Sequence, residues 1–149
     1  MRTFCFGLTI VLGAAASAQP IFPAIGGETA NGKSITLPTR SKPWTVIGLA
    51  YSQKASPILE AWYEPAYLRF VAQHGLMAGA YDVDVFFVPL FVGANKVAYE
   101  PSLTKFRKSA DPAIVDHVVF SKDDIEELKA VLELTEKDIP YFFVLDAEG

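Results

Sequence analysis

Two long, uninterrupted apolar runs constrain this chain more than anything else in it. Trp44 to Ala50 and Asp82 to Val92 carry β-branched and aromatic residues at successive rather than alternate positions. Alternation marks a strand with one wet face. A continuous run marks a strand covered on both faces, as in a sheet sandwiched between helices. A third run, Tyr141 to Leu145, has the same character. Between the first two, Leu59, Trp62, Tyr63, Ala66, Tyr67 and Phe70 recur at three- and four-residue spacing, which is one apolar face of a helix. A buried strand, a helix and a second buried strand in that order build a central sheet.

The remaining elements extend that plan. Asn31-Gly32 lies between the short extended runs of residues 21–38, and this dipeptide suits the positive φ angles of a hairpin turn. Residues 39–43 are a polar loop. The helix within 52–73 opens at Ser56-Pro57, an N-cap and first-turn proline, or one turn earlier at Ser52. Pro65 falls inside its pattern and predicts a kink, and His74-Gly75 predicts a stop. Pro101 to Ser109 reads as a short helix ending in Lys105, Arg107 and Lys108, and Ile114 to Phe120 as a short strand. Ser121-Lys122-Asp123-Asp124 caps a helix running to about Leu134, with Ile125, Leu128, Val131 and Leu132 facing inward. The order is hairpin, β, α, β, α, β, α, β: an α/β domain with a central mixed sheet flanked by helices. Asp146-Ala147-Glu148-Gly149 is a turn that asks for a following strand, so the domain is expected to be truncated at its C-terminal end.

Residues 1–18 read as a secretory signal peptide. Arg2 supplies the positive start, Phe4 to Ala14 the 11-residue apolar stretch, and Ala16-Ser17-Ala18 the small-x-small cleavage site. The stretch is too short to span the roughly 30 Å of a bilayer's hydrocarbon with ease, although an uncleaved anchor is the alternative. Cleavage before Gln19 leaves a domain of residues 19–149, with 12 Lys and Arg against 17 Asp and Glu. That balance gives nucleic acid nothing to grip. The expected location is secreted or periplasmic, with no membrane span after cleavage. The sole cysteine, Cys5, leaves with the signal segment. A mature chain without sulfhydryls has no disulfide, no cysteine-based metal site and no thiolate nucleophile.

Two stretches carry a resemblance. Ile139-Pro140-Tyr141-Phe142-Phe143-Val144-Leu145, followed by Asp146-Ala147-Glu148-Gly149, resembles the thioredoxin-like segment in which a cis-proline opens a strand of the terminal hairpin. The entry, with Ile21-Phe22-Pro23, Asn31-Gly32-Lys33 and Ile35-Thr36-Leu37 ahead of a buried strand and a long kinked helix, is similar to secreted redoxin and peroxiredoxin-like members of that superfamily. Ala61-Trp62-Tyr63-Glu64-Pro65 also resembles, more faintly, the thioredoxin-like assembly factors of ATP synthase. The resemblance implies a thioredoxin-like fold and a cis peptide before Pro140. It also implies a catalytic cysteine where the first buried strand meets the helix. Here that junction reads Tyr51-Ser52-Gln53-Lys54-Ala55-Ser56-Pro57, with no sulfur. A serine hydroxyl is far too weak an acid to replace a thiolate without an adjacent base.

The candidate site is therefore a binding corner: Ser52, Gln53 and Lys54, with Pro140 and Tyr141 beside them. Free N–H groups at the helix start would favour an anion or a partner there, and the resemblance implies an extended protein segment as the partner. The simpler reading has Ser52 or Ser56 capping the helix and Lys54 solvated. His74 and His117 lack partners at metal-ligand spacing, so no metal or other cofactor is expected. Glu126, Glu127, Glu133, Glu136 and Asp138 read as a solvated acidic face, and Trp62, Tyr63, Tyr67 and Phe70 as core. The leading reading is a redox-inactive thioredoxin-like domain with a protein-binding or assembly role, not an enzyme. The alternatives are an oxidoreductase or peroxidase whose cysteine lies beyond residue 149, and a hydrolase using Ser52.

Overall fold

The computed structural model describes residues 21–73 and 79–149. The signal segment with Cys5 and the His74-Gly75 stop lie outside the described residues. Among the described residues there are six strands: β1 (Ile25–Thr29), β2 (Ser34–Leu37), β3 (Trp44–Ala50), β4 (Val83–Pro89), β5 (Val119–Phe120) and β6 (Tyr141–Leu145). They form two hydrogen-bonded triples in the orders β2-β1-β5 and β4-β3-β6. Parallel bridges at Phe87–Val118 and Leu90–Ser121 join the triples. Phe87 N donates to His117 O and Phe91 N to Ser121 O, both at 2.8 Å. β3 runs parallel to β4 and antiparallel to β6, so the sheet is mixed as expected.

The runs of β3 and β4 behave as their composition requires, whereas β6 alternates and leaves Phe142 and Val144 exposed on one face. Successive residues of β4 point to opposite layers. Phe86 and Val88 join Ile47, Leu49, Phe22, Ile125 and Leu128 in one core, while Val85 and Phe87 join Leu59, Tyr63, Leu103 and Phe120 in the other. Helix α4 (Ile125–Leu132) covers the first core; α1 (Ala55–Glu60) and α3 (Tyr99–Ser109) cover the second. The absence of a side chain at Gly48 lets α1 land on β3. A Cβ there would lie 2.9 Å from both Leu59 Cδ1 and Phe142 Cε1. The hairpin forms at Asn31-Gly32, where Gly32 takes φ +77° and Thr29 N donates to Lys33 O at 3.0 Å.

The long helix expected within 52–73 is three pieces. α1 stops at Glu60, α2 (Tyr63–Ala66) restarts, and a π-turn covers Tyr67–Val71, closed by Ala72 N donating to Tyr67 O at 2.9 Å. Pro65 explains the position of the break. Its ring collides with the carbonyl four residues upstream and it has no N–H to offer that carbonyl, so the chain must leave the α-helical path near Ala61. Pro65 itself then sits in the first turn of α2, where a missing N–H costs nothing. The break turns Trp62 outward, 52% exposed, with its ring edge-on to Phe142 at 5.5 Å. Trp62 is thus a surface residue and not core, whereas Tyr63 is buried and Tyr67 and Phe70 are half-buried.

Three further expectations change. Ile114–Phe120 is extended only at its end: Ile114 N donates to Asp111 O and His117 N to Ile114 O, so turns occupy residues 111–117. A 3-10 turn, Gly93–Ala98, precedes α3. The cis peptide among the described residues is Leu37–Pro38, and Ile139–Pro140 is trans. Cis and trans differ by only about 0.5–1 kcal/mol before proline, so the surroundings and not the dipeptide choose the isomer.

Candidate functional site

The carboxyl end of β3 delivers Tyr51, Ser52, Gln53 and Lys54 to the edge of the sheet. Ser52 organises the turn into α1. Its Oγ accepts from Ala55 N at 3.1 Å, and its carbonyl accepts from Ser56 N at 3.1 Å and Ser56 Oγ at 2.9 Å. The N–H groups of Ala55 and Ser56 are thereby satisfied, and α1 has six residues. A free-amide anion cradle at this helix start does not form. Ser52 caps the turn, and the side chains beyond it define the corner.

Those side chains reach across to the segment between α4 and β6. Lys54 Nζ meets Asp138 Oδ2 at 3.0 Å, and Ser52 Oγ donates to Asp138 Oδ1 at 3.4 Å. The hydrogen bond from Lys54 is the main cause that holds the Asp138 carboxyl below the usual carboxylate range. Asp138 is therefore a specific partner and not one more member of a solvated acidic face. Glu126 pairs within its own helix with Lys129, and Glu127, Glu133 and Glu136 are exposed as expected. Lys54 itself is 79% exposed, so this pair fixes geometry more than it adds stability.

The structure separates the roles of the remaining predicted residues. Gln53 Nε2 donates to Asn95 Oδ1 at 3.3 Å, linking the β3 corner to the loop after β4. Ser52, Gln53 and Lys54 line a groove of about 830 Å³ with Tyr51, Asn95 and Asp138. Pro140 and Tyr141 do not line it. Tyr141 instead stacks on Tyr51 at 6.4 Å and 16°, and its hydroxyl accepts from Glu136 N at 2.7 Å. Tyr51 OH donates to Glu136 O at 3.1 Å. The two tyrosines clamp the 136–141 loop from below, and burial, then the neighbouring Tyr141, pushes the Tyr51 hydroxyl up from its ordinary value. Sequence reasoning missed Tyr51, Asn95 and Asp138. The available signal was position alone: Tyr51 and Asn95 follow the β3 and β4 runs, where the ends of two parallel strands meet, and Asp138 precedes β6, which runs antiparallel to β3 and so starts beside that end.

His117 has a structural place. Its Nδ1 lies 2.8 Å from Val85 O, and its ring packs against Tyr67 at 5.6 Å and Phe86 at 6.2 Å. Among the described residues, no group of three or more His, Cys, Asp or Glu gathers as a metal site would, and no helix is long and apolar enough to cross a membrane.

No protein-family model and no curated protein matches this chain. Solved structures do. The thioredoxin domain of a thiol-disulfide oxidoreductase from Bacteroides vulgatus superimposes with a TM-score of 0.56 at 14% identity, over 91% of this chain and 85% of that one. A thiol:disulfide interchange protein from Bacteroides sp. matches with a TM-score of 0.54 at 15% identity, over 89% and 77%. BsSco, a member of the Sco family of cytochrome c oxidase assembly proteins, matches with a TM-score of 0.52 at 13% identity, over 88% and 80%.

Proposed function

We propose, from a thioredoxin-like fold whose redox corner carries no sulfur, that this domain binds an extended protein segment and carries out no thiol chemistry. The observation that carries the reading is the corner itself. Where a thiolate would stand, Ser52 Oγ is occupied by Ala55 N and Asp138, and Gln53 and Lys54 flank a groove of about 830 Å³. Hydroxyl, amide and ammonium groups along a groove suit main-chain carbonyls and the side chains of an unfolded segment. The neighbours are thiol-disulfide oxidoreductases and BsSco, of an assembly-protein family, in which a disulfide switch is identified; what sets this chain apart from them is the missing sulfur, and that absence carries the reading. The signal-like residues 1–18 place this activity outside the cytoplasm in our reading.

The experiment has two arms. Insulin reduction by the full secreted protein is expected to show no turnover above buffer, and a gain of reductase activity would end the redox-inert reading. Reduced, carboxymethylated lactalbumin, a permanently extended chain, is the binding probe. Amide shifts are expected at 51–54 and 134–138, and Lys54→Glu is expected to weaken them severalfold. Shifts absent from both segments would refute the groove.

A further inference from the structure

On the far side of the Gln53–Asn95 bridge lies a second recess, about 510 Å³, between α1–α2 and α3. Its size falls within the roughly 300–1,000 Å³ typical of small-molecule sites. α3 presents Ser102, Lys105 and Phe106 to it from one helical face, and the opposite wall carries Glu60 and Tyr63. The floor is aromatic. Phe106 lies 5.4 Å from Phe120 and 6.1 Å from Tyr63, edge-on to the latter, and Phe91 stacks on Phe120 at 6.1 Å.

Three features of this lining lack a counterpart among the described residues. Lys105 and Glu60 take part in none of the ion pairs among the described residues. Tyr63 is only 8% exposed, yet its hydroxyl has no partner among them. No sequestered polar side-chain atom there is left unpaired, so that hydroxyl opens onto accessible space, and Tyr63 lines this recess. Burial, then the Glu60 carboxylate, pushes the phenol far up, so it stays a protonated donor. One cation, one anion and a neutral hydroxyl surround an apolar floor.

We propose that this cleft binds a small zwitterion with an apolar body, of the size of an apolar dipeptide. Its carboxylate faces Lys105 and Ser102, its ammonium faces Glu60, and its side chains lie on Phe91, Phe106 and Phe120. Lys105 and Glu60 are exposed, so each ion pair adds modestly, and a ligand of single charge forgoes one of the two, which is the basis of selection. The recess meets the groove on the Lys54–Asp138 side at Ser52, Gln53 and Asn95, which line both, but Lys105, Glu60 and the aromatic floor lie outside that groove, so the proposal does not depend on the reading given to it.

L-leucyl-L-phenylalanine is the probe, compared by calorimetry with its N-acetyl, C-amide and doubly blocked forms. The free dipeptide is expected to bind roughly two- to fivefold more tightly than either singly blocked form. Lys105→Met should erase the penalty for amidation and Glu60→Gln the penalty for acetylation, each leaving the fold intact because both residues are exposed. Tyr63→Phe keeps the ring and should weaken all four forms alike, while Lys54→Glu should change none. Equal affinity for free and doubly blocked dipeptide, no measurable binding, or amide shifts at Lys54 and 134–138 with none at 102–106 would each overturn the proposal.

Discussion

A methyl group added at Gly27 tests whether the hairpin is part of the sheet or an appendage. The Cβ of Gly27→Ala would stand 2.6 Å from Phe120 O, 2.7 Å from Val119 Cγ1 and 3.2 Å from the Phe120 carbonyl carbon. Two of those three atoms are backbone, so no rotamer change relieves the contact. β1 and β5 must separate, and their register is only two residues long, Glu28–Phe120 and Thr29–Val119. Overpacking costs about 1–3 kcal/mol, and each ladder hydrogen bond lost costs about 1 kcal/mol. The stiffer unfolded chain returns about 0.5–1 kcal/mol. The net expectation is about 2–3 kcal/mol, a fall in Tm of about 10 °C for a domain of this length. Gly26→Ala is the internal control on the same strand. Its Cβ would meet only the Asp123 carboxyl group, at 3.2 Å, a side chain that accepts from Gly26 N and can shift at the expense of that one hydrogen bond, so its cost should stay within about 1 kcal/mol. Urea unfolding followed by tryptophan fluorescence reads both. Gly27→Ala as stable as Gly26→Ala would refute the docking of β1 against β5 and, with it, the bridge from the hairpin to β4.

Other consequences are direct. The Lys54–Asp138 tie needs an ionised carboxylate. Because the folded-state value of Asp138 is lowered, the tie is fully formed above the ordinary carboxylate pKa and is lost as pH falls through the lowered one. A carboxyl-carbon titration should place Asp138 below the other aspartates, and Lys54→Met should move it back up; no movement would remove Lys54 as the cause. Val144 is 68% exposed on β6, which pairs on one side only among the described residues, and Trp44, Trp62 and Phe142 lie 51%, 52% and 43% exposed. Val144→Lys should reduce naphthalene-sulfonate fluorescence and light scattering while shifting stability by less than about 0.5 kcal/mol; unchanged scattering would show that this edge drives no association. Leu59 is fully buried where α1 meets β3, so Leu59→Ala should cost about 3–5 kcal/mol by chemical unfolding, and a loss under 1 kcal/mol would contradict the packing.

The strands were the legible part of this fold because their signal is local. β3, β4 and β6 follow the apolar runs to within a few residues, and Asn31-Gly32 turned the hairpin where its φ tolerance allows. What escaped was decided at a distance. Pro65 acts on a carbonyl four residues away, so a pattern read at Pro65 puts the break in the wrong place and counts Trp62 as core. Residues 114–118 carry strand-like side chains, but short hydrogen bonds to Asp111 and Ile114 keep the chain turning until Val118 can bridge Phe87. The isomer before Pro140 rests on an energy difference smaller than one packing contact.

The site divides along the same line. Ser52 announces itself only in part: Lys54 takes the N-cap position with no side-chain cap, Ser56 and Pro57 fall inside α1, and Ser52 Oγ accepts from Ala55 N from two residues ahead of the cap. Asp138 could not announce itself: its meaning comes from Lys54, 84 residues earlier, and alone it is one acid among several. Tyr141 was read as a group offered to a ligand, yet its ring and hydroxyl are spent on Tyr51 and Glu136. A proline and an aromatic opening an apolar strand therefore serve the shape of the loop, and recognition falls to the side chains that the loop brings within reach. The corner's chemistry is accordingly set by what faces Ser52, Gln53 and Lys54 from the other strand ends. Substitutions at Asp138 and Asn95 should alter binding in the groove more than substitutions at Pro140 or Tyr141 that preserve the loop.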